Sequence, residues 1–464
     1  MKTYQDFLKE PDKISFIHAA IMEHRSCEDY KTAVDADNYE AEKNTTILAW
    51  IRLLYTLDGR KVEDVTAGNN RIASNFFHRL NTQRCAYSLG NGVSFTNTKK
   101  TTENGVKKTV DTTKQALGSK FDTDLYMAAY FALIHKVSFI MWNLDHAEVF
   151  PYTQFVPLWD ENDGSLKAGI RYWSLDWVNR PVTAVLYELD GYTKYRTAEG
   201  STGLDLVEIE PKRAYKYTVA VSEADGETII GEDNYSALPI VPLWGSKHKQ
   251  STLVGMKAKI DAFDLIRSGF ANDLEECAEI YWIIENALGM DDAELAKFRD
   301  RMKMNHIVTV DAASGSNVVP YTHEIPVTAR QVCLDGLRAQ LYEDFGGLDV
   351  HTIAAGATND HIDAGYQPMD EEADDFEYQI IKCVQQILAL MGIDDTPVFK
   401  RNRISNQSEQ TSMVLLAADH LDEETLLSKL PFLTVDEVQK VLVNKDKENM
   451  ERIALAQELG ELNA

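Results

Sequence analysis

STLVGMKAKIDAFDLIRSGFANDLEE (Ser251–Glu276) reads as one amphipathic helix, and together with the run after it this stretch decides the fold. Leu253, Met256, Ile260, Phe263, Ile266 and Phe270 recur at the period of a single helix face, and Ser251 offers a capping oxygen. The period then changes. EIYWII (Glu279–Ile284) is a β-forming run. DDAELAKFRDRMK (Asp291–Lys303) is a helical pattern capped by Asp291 or Asp292, and HIVTVDA (His306–Ala312) returns to strand. A further helix is expected from about Pro326 to Phe345, stopped by Gly346-Gly347. The pattern is a small strand–helix–strand insert held between two helices. After it, LDVHTIAAGATNDHIDAGY (Leu348–Tyr366) reads as loop. A long helix is expected from about Pro368 to Met391, with Phe376, Ile380, Val384, Ile387, Leu388 and Met391 on one stripe.

Upstream, the first ~90 residues show helical spacing in ISFIHAAIM (Ile14–Met22), ILAWIRLLYTL (Ile47–Leu57) and Arg71–Leu80, with a stop at Gly90-Asn91-Gly92. Residues 96–120, with seven Thr from Thr96 to Thr113 and six Lys from Lys99 to Lys120, read as a solvated loop. YMAAYFALIHKVSFIMW (Tyr126–Trp142) is a buried helix followed by a strand, being too short and too interrupted to cross a bilayer. From about 137 to 243 the texture is β, with Asp163-Gly164, Asp190-Gly191 and Asp225-Gly226 as hairpin turns. Downstream, PVFKRNRI (Pro397–Ile404) reads as a strand, and the tail as helices with caps at Asn406 and Thr434. The fold class is α+β.

The chain has 464 residues and a net charge of −26, so a mechanism that grips a nucleic-acid backbone along a broad basic face is disfavoured. Its length argues for more than one folding unit. Five well-separated cysteines without a CxxC pair read as reduced thiols of a protein made in the cytoplasm. MKTYQDFLKEPDK lacks the apolar core of a secretory signal.

No Walker loop, GxSxG, HExxH or dinucleotide GxGxxG motif occurs, so no catalytic residue, cofactor site or metal site is assigned. The sharpest acid–histidine group is Asp360, His361 and Asp363, with His351 upstream; as metal ligands these would make a hydrolase, the competing reading. Charge is more informative. From Ala339 to Ile381 there are eleven acids and no Lys or Arg, either a solvated helix start or a surface that repels a polyanion. Lys247, Lys249, Lys257 and Lys259 cluster at the start of the Ser251 helix, as a solvated face or as a phosphate-facing ring.

Four stretches, in order, resemble the portal proteins of tailed bacteriophages, in particular those of long-tailed phages of Gram-positive hosts. NNRIASNFFHRLNTQRCAYSLGNGVSF (Asn69–Phe95) is similar to the family's amino-terminal helix and Tyr-x-x-Gly-Asn-Gly turn. FVPLWDENDGSLKAGIRYWSLD (Phe155–Asp176) resembles its wing hairpins. IDAFDLIRSGFANDLEE (Ile260–Glu276) resembles its first stem helix, and NRISNQSEQTSMVLLAADHLDEETLLSKLPFLTVDEVQKVL (Asn402–Leu442) its carboxy-terminal return and crown. AGYQPMDEEADDF (Ala364–Phe376) departs from the small Ser-Gly-x-Ala type sequence that many relatives carry there.

The resemblance implies a subunit with a wing (1–250), a first stem helix (251–278), a small α/β clip (279–325), a second stem helix (326–347), a tunnel loop (348–366), a long helix with a return strand (367–410) and a helical crown (411–464). It implies a non-enzymatic ring, usually of twelve subunits, at the capsid portal vertex of the virion. Double-stranded DNA passes through such a ring in packaging and ejection, held weakly and without sequence specificity. Implied partners are the terminase large subunit, a head-completion adaptor, and the major capsid and scaffolding proteins, with no membrane. Lys257, Lys259, Arg330, Arg338, Asp360, His361 and Asp363 become the candidates for facing the DNA channel. Another oligomeric head–tail connector is the nearest alternative.

Overall fold

The structure, a computed structural model, describes residues 1–55, 59–64, 68–103, 106–175, 180–198, 201, 204–222, 226–277, 281–285, 291, 293–294, 296–297, 317–321, 326–350, 358–403, 407–433, 437–438, 440–445 and 447. It is an α+β protein of helices and antiparallel sheets. Two units divide it: Met1–Thr82 with Met127–Phe345, and Gln83–Tyr126 with Gly346–Ala464.

The first unit begins with the helices Tyr4–Lys9, Lys13–Ser26 and Glu28–Glu40, each started by a side-chain cap: Thr3, Asp12 and the Cys27 thiol. They precede a five-stranded antiparallel sheet in the order Leu206–Arg213, Gly191–Thr197, Val182–Glu188, Leu166–Ser174, Phe155–Trp159. Asp163-Gly164 and Asp190-Gly191 stand at the hairpins of this sheet, as the sequence predicts. Lys216–Ser222 pairs with Gly226–Asp233, although Asp225 itself lies outside the described residues. A three-stranded sheet joins Ile240–Trp244 and His146–Pro151 to the central strand Val137–Asn143. Phe16, Ile17, Ala20 and Ile21 of the second helix share one core with Val156, Ile170, Ala184 and Leu186 of the larger sheet. Burying such side chains contributes roughly 1.5–3 kcal/mol each.

Two readings of this unit are corrected. Of Ile47–Leu57, only the first residues are helical, in Thr45–Leu48, while Leu53–Tyr55 pairs with Lys61–Glu63 as a short hairpin. Gly59 takes φ +74° between those strands, a conformation that the apolar spacing alone does not reveal. The helix expected from Arg71 begins instead at Phe76.

Thr252–Cys277 and Val327–Phe345 are the two helices expected around the insert. The Ser251 hydroxyl accepts from the Leu253 amide at 3.2 Å, as a cap should. Leu253, Met256 and Ile260 pack with Leu341, Tyr342, Phe345, Tyr39 and Phe77. Further along, the apolar stripe stops being the buried face. Asp264, Ser268 and Asn272 are buried there, while Phe263, Ile266 and Phe270 are only partly covered. The physical cause is the chain crossing them: Ile72 N donates to Ser268 Oγ at 2.9 Å and Asn70 N to Asn272 Oδ1 at 2.6 Å. Backbone amides outside a sheet or helix need acceptors, and this helix supplies them. In the insert, Tyr281–Glu285 pairs antiparallel with Asn317–Tyr321. The expected strand His306–Ala312 and most of the expected helix Asp291–Lys303 lie outside the described residues.

In the second unit, Val93–Phe95 pairs with Pro397–Phe399, so the strand expected over Pro397–Ile404 is present only in its first three residues, residues 400–403 being outside any strand and Ile404 outside the described residues. Residues 96–120 are not a loop. Thr98–Glu103 and Val106–Asp111 form an antiparallel hairpin, followed by the helix Thr112–Leu117. Threonine favours extended backbone, and Asn104-Gly105 between the two runs is a hairpin signal that the lysine content masks. Asp395 ties down the foot of this hairpin. It accepts from Thr96 N (3.2 Å), Thr96 Oγ1 (2.6 Å), Asn97 N (3.1 Å) and Thr113 Oγ1 (2.7 Å).

The long helix runs Asn359–Leu390, with Thr358 as its N-cap, and so begins well before Pro368. A proline at the first helical turn is the usual expectation, but here Pro368 lies inside the helix. Its 32 residues span about 48 Å. The buried stripe is Ile362, Tyr366, Met369, Ala373, Phe376, Ile380, Cys383, Val384, Ile387 and Leu388, the expected stripe extended toward the N-terminus. Met391 is the C-cap residue rather than a helical stripe position. Gln407–Leu416 and Glu423–Lys429 are the tail helices; the caps Asn406 and Thr434 and residues 448–464 lie outside the described residues. Among the described residues no helix is long and apolar enough to cross a membrane.

Candidate functional site

In the first unit, Lys257, Lys259 and Arg330 of the two insert-flanking helices are engaged by acids of the same unit. Lys257 Nζ lies 2.8 Å from Asp35 Oδ2, donates to the Tyr39 hydroxyl at 2.8 Å and sits over that ring. Burial works against its charge, but the bonds to Asp35 and Tyr39 prevail and raise its pKa. Lys259 pairs with Asp344, and Arg330 with Asp273. Arg338 lies with its guanidinium 5.9 Å from the Tyr342 ring centre. The helices are thus cross-braced, Lys259 of the first holding Asp344 of the second, and Arg330 of the second holding Asp273 of the first.

In the second unit, Asp360, His361 and Asp363 occupy the first turns of the long helix, exposed. The His361 amide donates to Thr358 Oγ1 at 3.4 Å. The Asp363 carboxylate lies 3.2 Å from Arg403 Nη1, a guanidinium partner where the hydrolase reading needs a metal. Among the described residues no group of three or more His, Cys, Asp or Glu is arranged to hold a metal ion; His351 lies outside them.

A cluster that the sequence reading missed includes Asp363. Arg401 and Arg403 follow the strand Pro397–Phe399 and reach one edge of the long helix. Arg401 binds Asp370 (Nη1–Oδ1 2.8 Å), Glu377 through two nitrogens, and Asp374. Arg403 binds Asp370 and Asp363 and donates from Nε to the Tyr87 hydroxyl at 2.8 Å. The spacing of Asp363, Asp370, Asp374 and Glu377 explains why two arginines reach them all: the four fall on one helix edge. Tyr87 donates in turn to Asp370 Oδ1 at 2.5 Å and stacks on Tyr366, with ring centres 5.5 Å apart. Burial and then the bond to Asp370 raise the Tyr87 pKa. Burial opposes ionisation of Asp370, yet Tyr87, Arg403 and Arg401 together hold its pKa below the ordinary value.

The same helix that carries Tyr87 also carries Gln83 and Arg84. The Gln83 side chain donates to Leu348 O at 2.9 Å and accepts from Leu348 N at 3.1 Å. Arg84, 7% exposed, pairs with Glu372 at 3.1 Å. Residues on both flanks of 351–357 are therefore moored within this unit: Leu348 by Gln83, Tyr366 by Tyr87, Asp363 by Arg403. The acid-rich stretch is consequently less repulsive than its composition suggests. Asp363, Asp370, Glu372, Asp374 and Glu377 all meet arginines of their own chain. A signal existed in the sequence: a basic Lys400-Arg401-Asn402-Arg403 follows the first strand after a helix whose N-terminal half has no base.

This geometry does mechanical work. It fixes a long helix by charge-assisted bonds along one edge and an apolar stripe along another.

Comparison with known proteins adds the family. The sequence model of the phage portal proteins of SPP1 Gp6-like type matches residues 22–458. A portal protein of Clostridium phage phiCD119 is 27% identical over 231 residues, 48% of this chain and 51% of its own length. A portal protein of Bacillus phage SPP1 is 23% identical over 425 residues, 85% of this chain and 80% of its own length. The chain thus spans about half the length of the first relative and most of the second.

Proposed function

The chain belongs to the SPP1 Gp6-like phage portal proteins, and from that premise we propose that it forms the ring through which double-stranded DNA enters and leaves a phage capsid. The family is a structural one, made of virion ring components. The observation that carries the proposal is the order of elements: a helix, an antiparallel-stranded insert, a second helix cross-braced to the first, then a long helix moored at its start. In this reading Thr252–Cys277 and Val327–Phe345 are the stem, and the insert is the clip that docks the terminase large subunit and later a head-completion adaptor. The amino-terminal sheets are the wing facing capsid and scaffolding proteins, residues 348–358 bear the tunnel loop, shorter than the expected 348–366 because the long helix begins at Asn359, and the tail helices form the crown.

The charge fits a conduit. At −26 per chain, the assembled ring repels duplex as a whole, so a translocating polyanion meets few places to stick. Lys257, Lys259, Arg330 and Arg338 remain the stem candidates for moderating that repulsion, three of them with charge largely returned to Asp35, Asp344 and Asp273. Asp360, His361 and Asp363 are the candidates from the start of the long helix.

The test is the particle itself. Purified protein, weighed by mass photometry and imaged in negative stain, should form closed rings, with twelve subunits the expected number. A stable monomer at micromolar concentration, or a closed particle with no hole, would contradict the proposal.

A further inference from the structure

We propose that the hairpin Thr98–Asp111 is a basic arm that lies against the phosphate backbone of duplex DNA. The inference rests on the conduit reading above and assigns a contact element within it. In a chain of net charge −26, this ribbon carries Lys99, Lys100, Lys107 and Lys108 against two acids, Glu103 and Asp111. The register distributes the lysines evenly. Lys99 is opposite Val110, Lys100 opposite Thr109, Lys108 opposite Thr101 and Lys107 opposite Thr102, so four consecutive rungs hold one lysine each and no lysine faces another. By alternation, positions 99 and 108 fall on one face of the ribbon and positions 100 and 107 on the other.

The two acids stand at the ends of the ribbon, outside the four lysine rungs. Asp111 is at the foot, where one oxygen accepts from Phe95 N at 2.7 Å and the other from Lys114 N at 2.8 Å. Glu103 is on the rung nearest the turn, opposite Val106. The hairpin forms a two-stranded sheet by itself, with no third strand among the described residues. Two-stranded ribbons are marginal alone, and this one is held at its foot by Asp395 through Thr96, Asn97 and Thr113.

The composition selects the partner. Valine at 106 and 110 is the only apolar content of the two strands; the remainder is Thr, Lys, Glu and Asp. A protein-binding patch needs an apolar core to desolvate, which is lacking here. Lysine and threonine are instead the side chains that contact phosphate oxygens without reading sequence.

The experiment uses the assembled ring and a duplex of random sequence, with binding followed by fluorescence anisotropy between about 50 and 200 mM salt. Changing Lys99, Lys100, Lys107 and Lys108 together to Gln should reduce the slope of log affinity against log salt by roughly 0.9 for each phosphate no longer neutralised, while the quadruple change to Arg preserves it. If the quadruple Gln ring does not assemble, Lys107→Gln with Lys108→Gln carries the same expectation at half the size. An unchanged slope in intact Gln rings overturns the arm and leaves the portal reading standing. Loss of capsid incorporation with duplex binding unchanged also overturns it, in favour of a protein partner. A wild-type chain that forms no ring overturns the conduit reading and the arm together.

Discussion

Arg401 grips Glu377 through two nitrogens at once, Nε 3.0 Å from Oε1 and Nη2 2.9 Å from Oε2. This paired geometry is open to arginine and closed to lysine. It clamps the segment after Pro397–Phe399 to the middle of the long helix, while Arg403 repeats the clamp nearer the helix start through Asp370 and Asp363.

Arg401→Ala should loosen that edge of the helix. Glu377 and Asp374 lose this arginine in a partly exposed setting while Asp370 keeps Arg403 and Tyr87, so the cost is about 1–2 kcal/mol rather than that of a fully buried pair. Hydrogen exchange should quicken at amides around Asp370–Glu377, and Arg401→Lys should recover only part of the protection. Exchange unchanged in the Ala variant would show the clamp to be energetically idle.

Asp395 and Asp264 are both buried aspartates with opposite pH behaviour. Burial disfavours the Asp395 charge, but bonds from Thr113, Thr96, Thr396 and Asn97 hold its pKa below 3.8, the ordinary value. A depressed carboxyl contributes stability that is present above the unfolded value and lost as pH falls through the folded one. Asp395→Asn should therefore destabilise the hairpin foot at neutral pH, with the difference from wild type shrinking below about pH 4. Thermal melts of both proteins across that range provide the check.

The Asp264 pKa is raised instead, chiefly by burial, despite bonds from Ser74 and Asn44. Its unfavourable charging develops as pH rises past 3.8 toward the folded value. Asp264→Asn should then be neutral or stabilising at pH 7, because the remaining oxygen still accepts from Asn44. Asp264→Ala should cost about 1–3 kcal/mol by stranding that donor. A destabilising Asn variant would show that the charged form is the one the fold uses.

Gly346 ends the helix Val327–Phe345 at φ +66°, where an added Cβ would meet Glu372 Cγ at 2.8 Å and Pro368 O at 3.0 Å. Gly346→Ala should lower stability by about 1–2 kcal/mol from the backbone alone, with steric cost in addition. Denaturant unfolding of the purified ring subunit measures it.

The cations of the proposed stem helices make a prediction about function. Lys257→Gln, Lys259→Gln, Arg330→Gln and Arg338→Gln, tested singly in phage, should change DNA packaging or retention more than ring assembly. Equal packaging in all four would remove these residues from the channel.

Much of the fold was legible because periodicity survives in sequence. The two insert-flanking helices, the long helix stripe and the Asp-Gly hairpins are all set by local patterns of apolar and turn residues. Three features were hidden for physical reasons. The lysines of residues 96–120 read as a solvated loop, yet the threonine-rich runs Thr98–Glu103 and Val106–Asp111 pair as a ribbon. The outer half of Thr252–Cys277 buries Asp264, Ser268 and Asn272 because a crossing backbone needs acceptors, a demand written elsewhere in the chain. The Arg401–Arg403 cluster pairs residues far apart in sequence, Arg403 with Asp363 forty positions away and with Tyr87 316 positions away, and no local period reports such a contact.

The most direct measurement is an averaged electron-microscopy reconstruction of the purified assembly. The expected result is a closed ring with a central hole wide enough for duplex DNA, with Thr252–Cys277 and Val327–Phe345 of every subunit lining or flanking it. A closed ring whose axis is filled, or one with both helices on its outer surface, would contradict it.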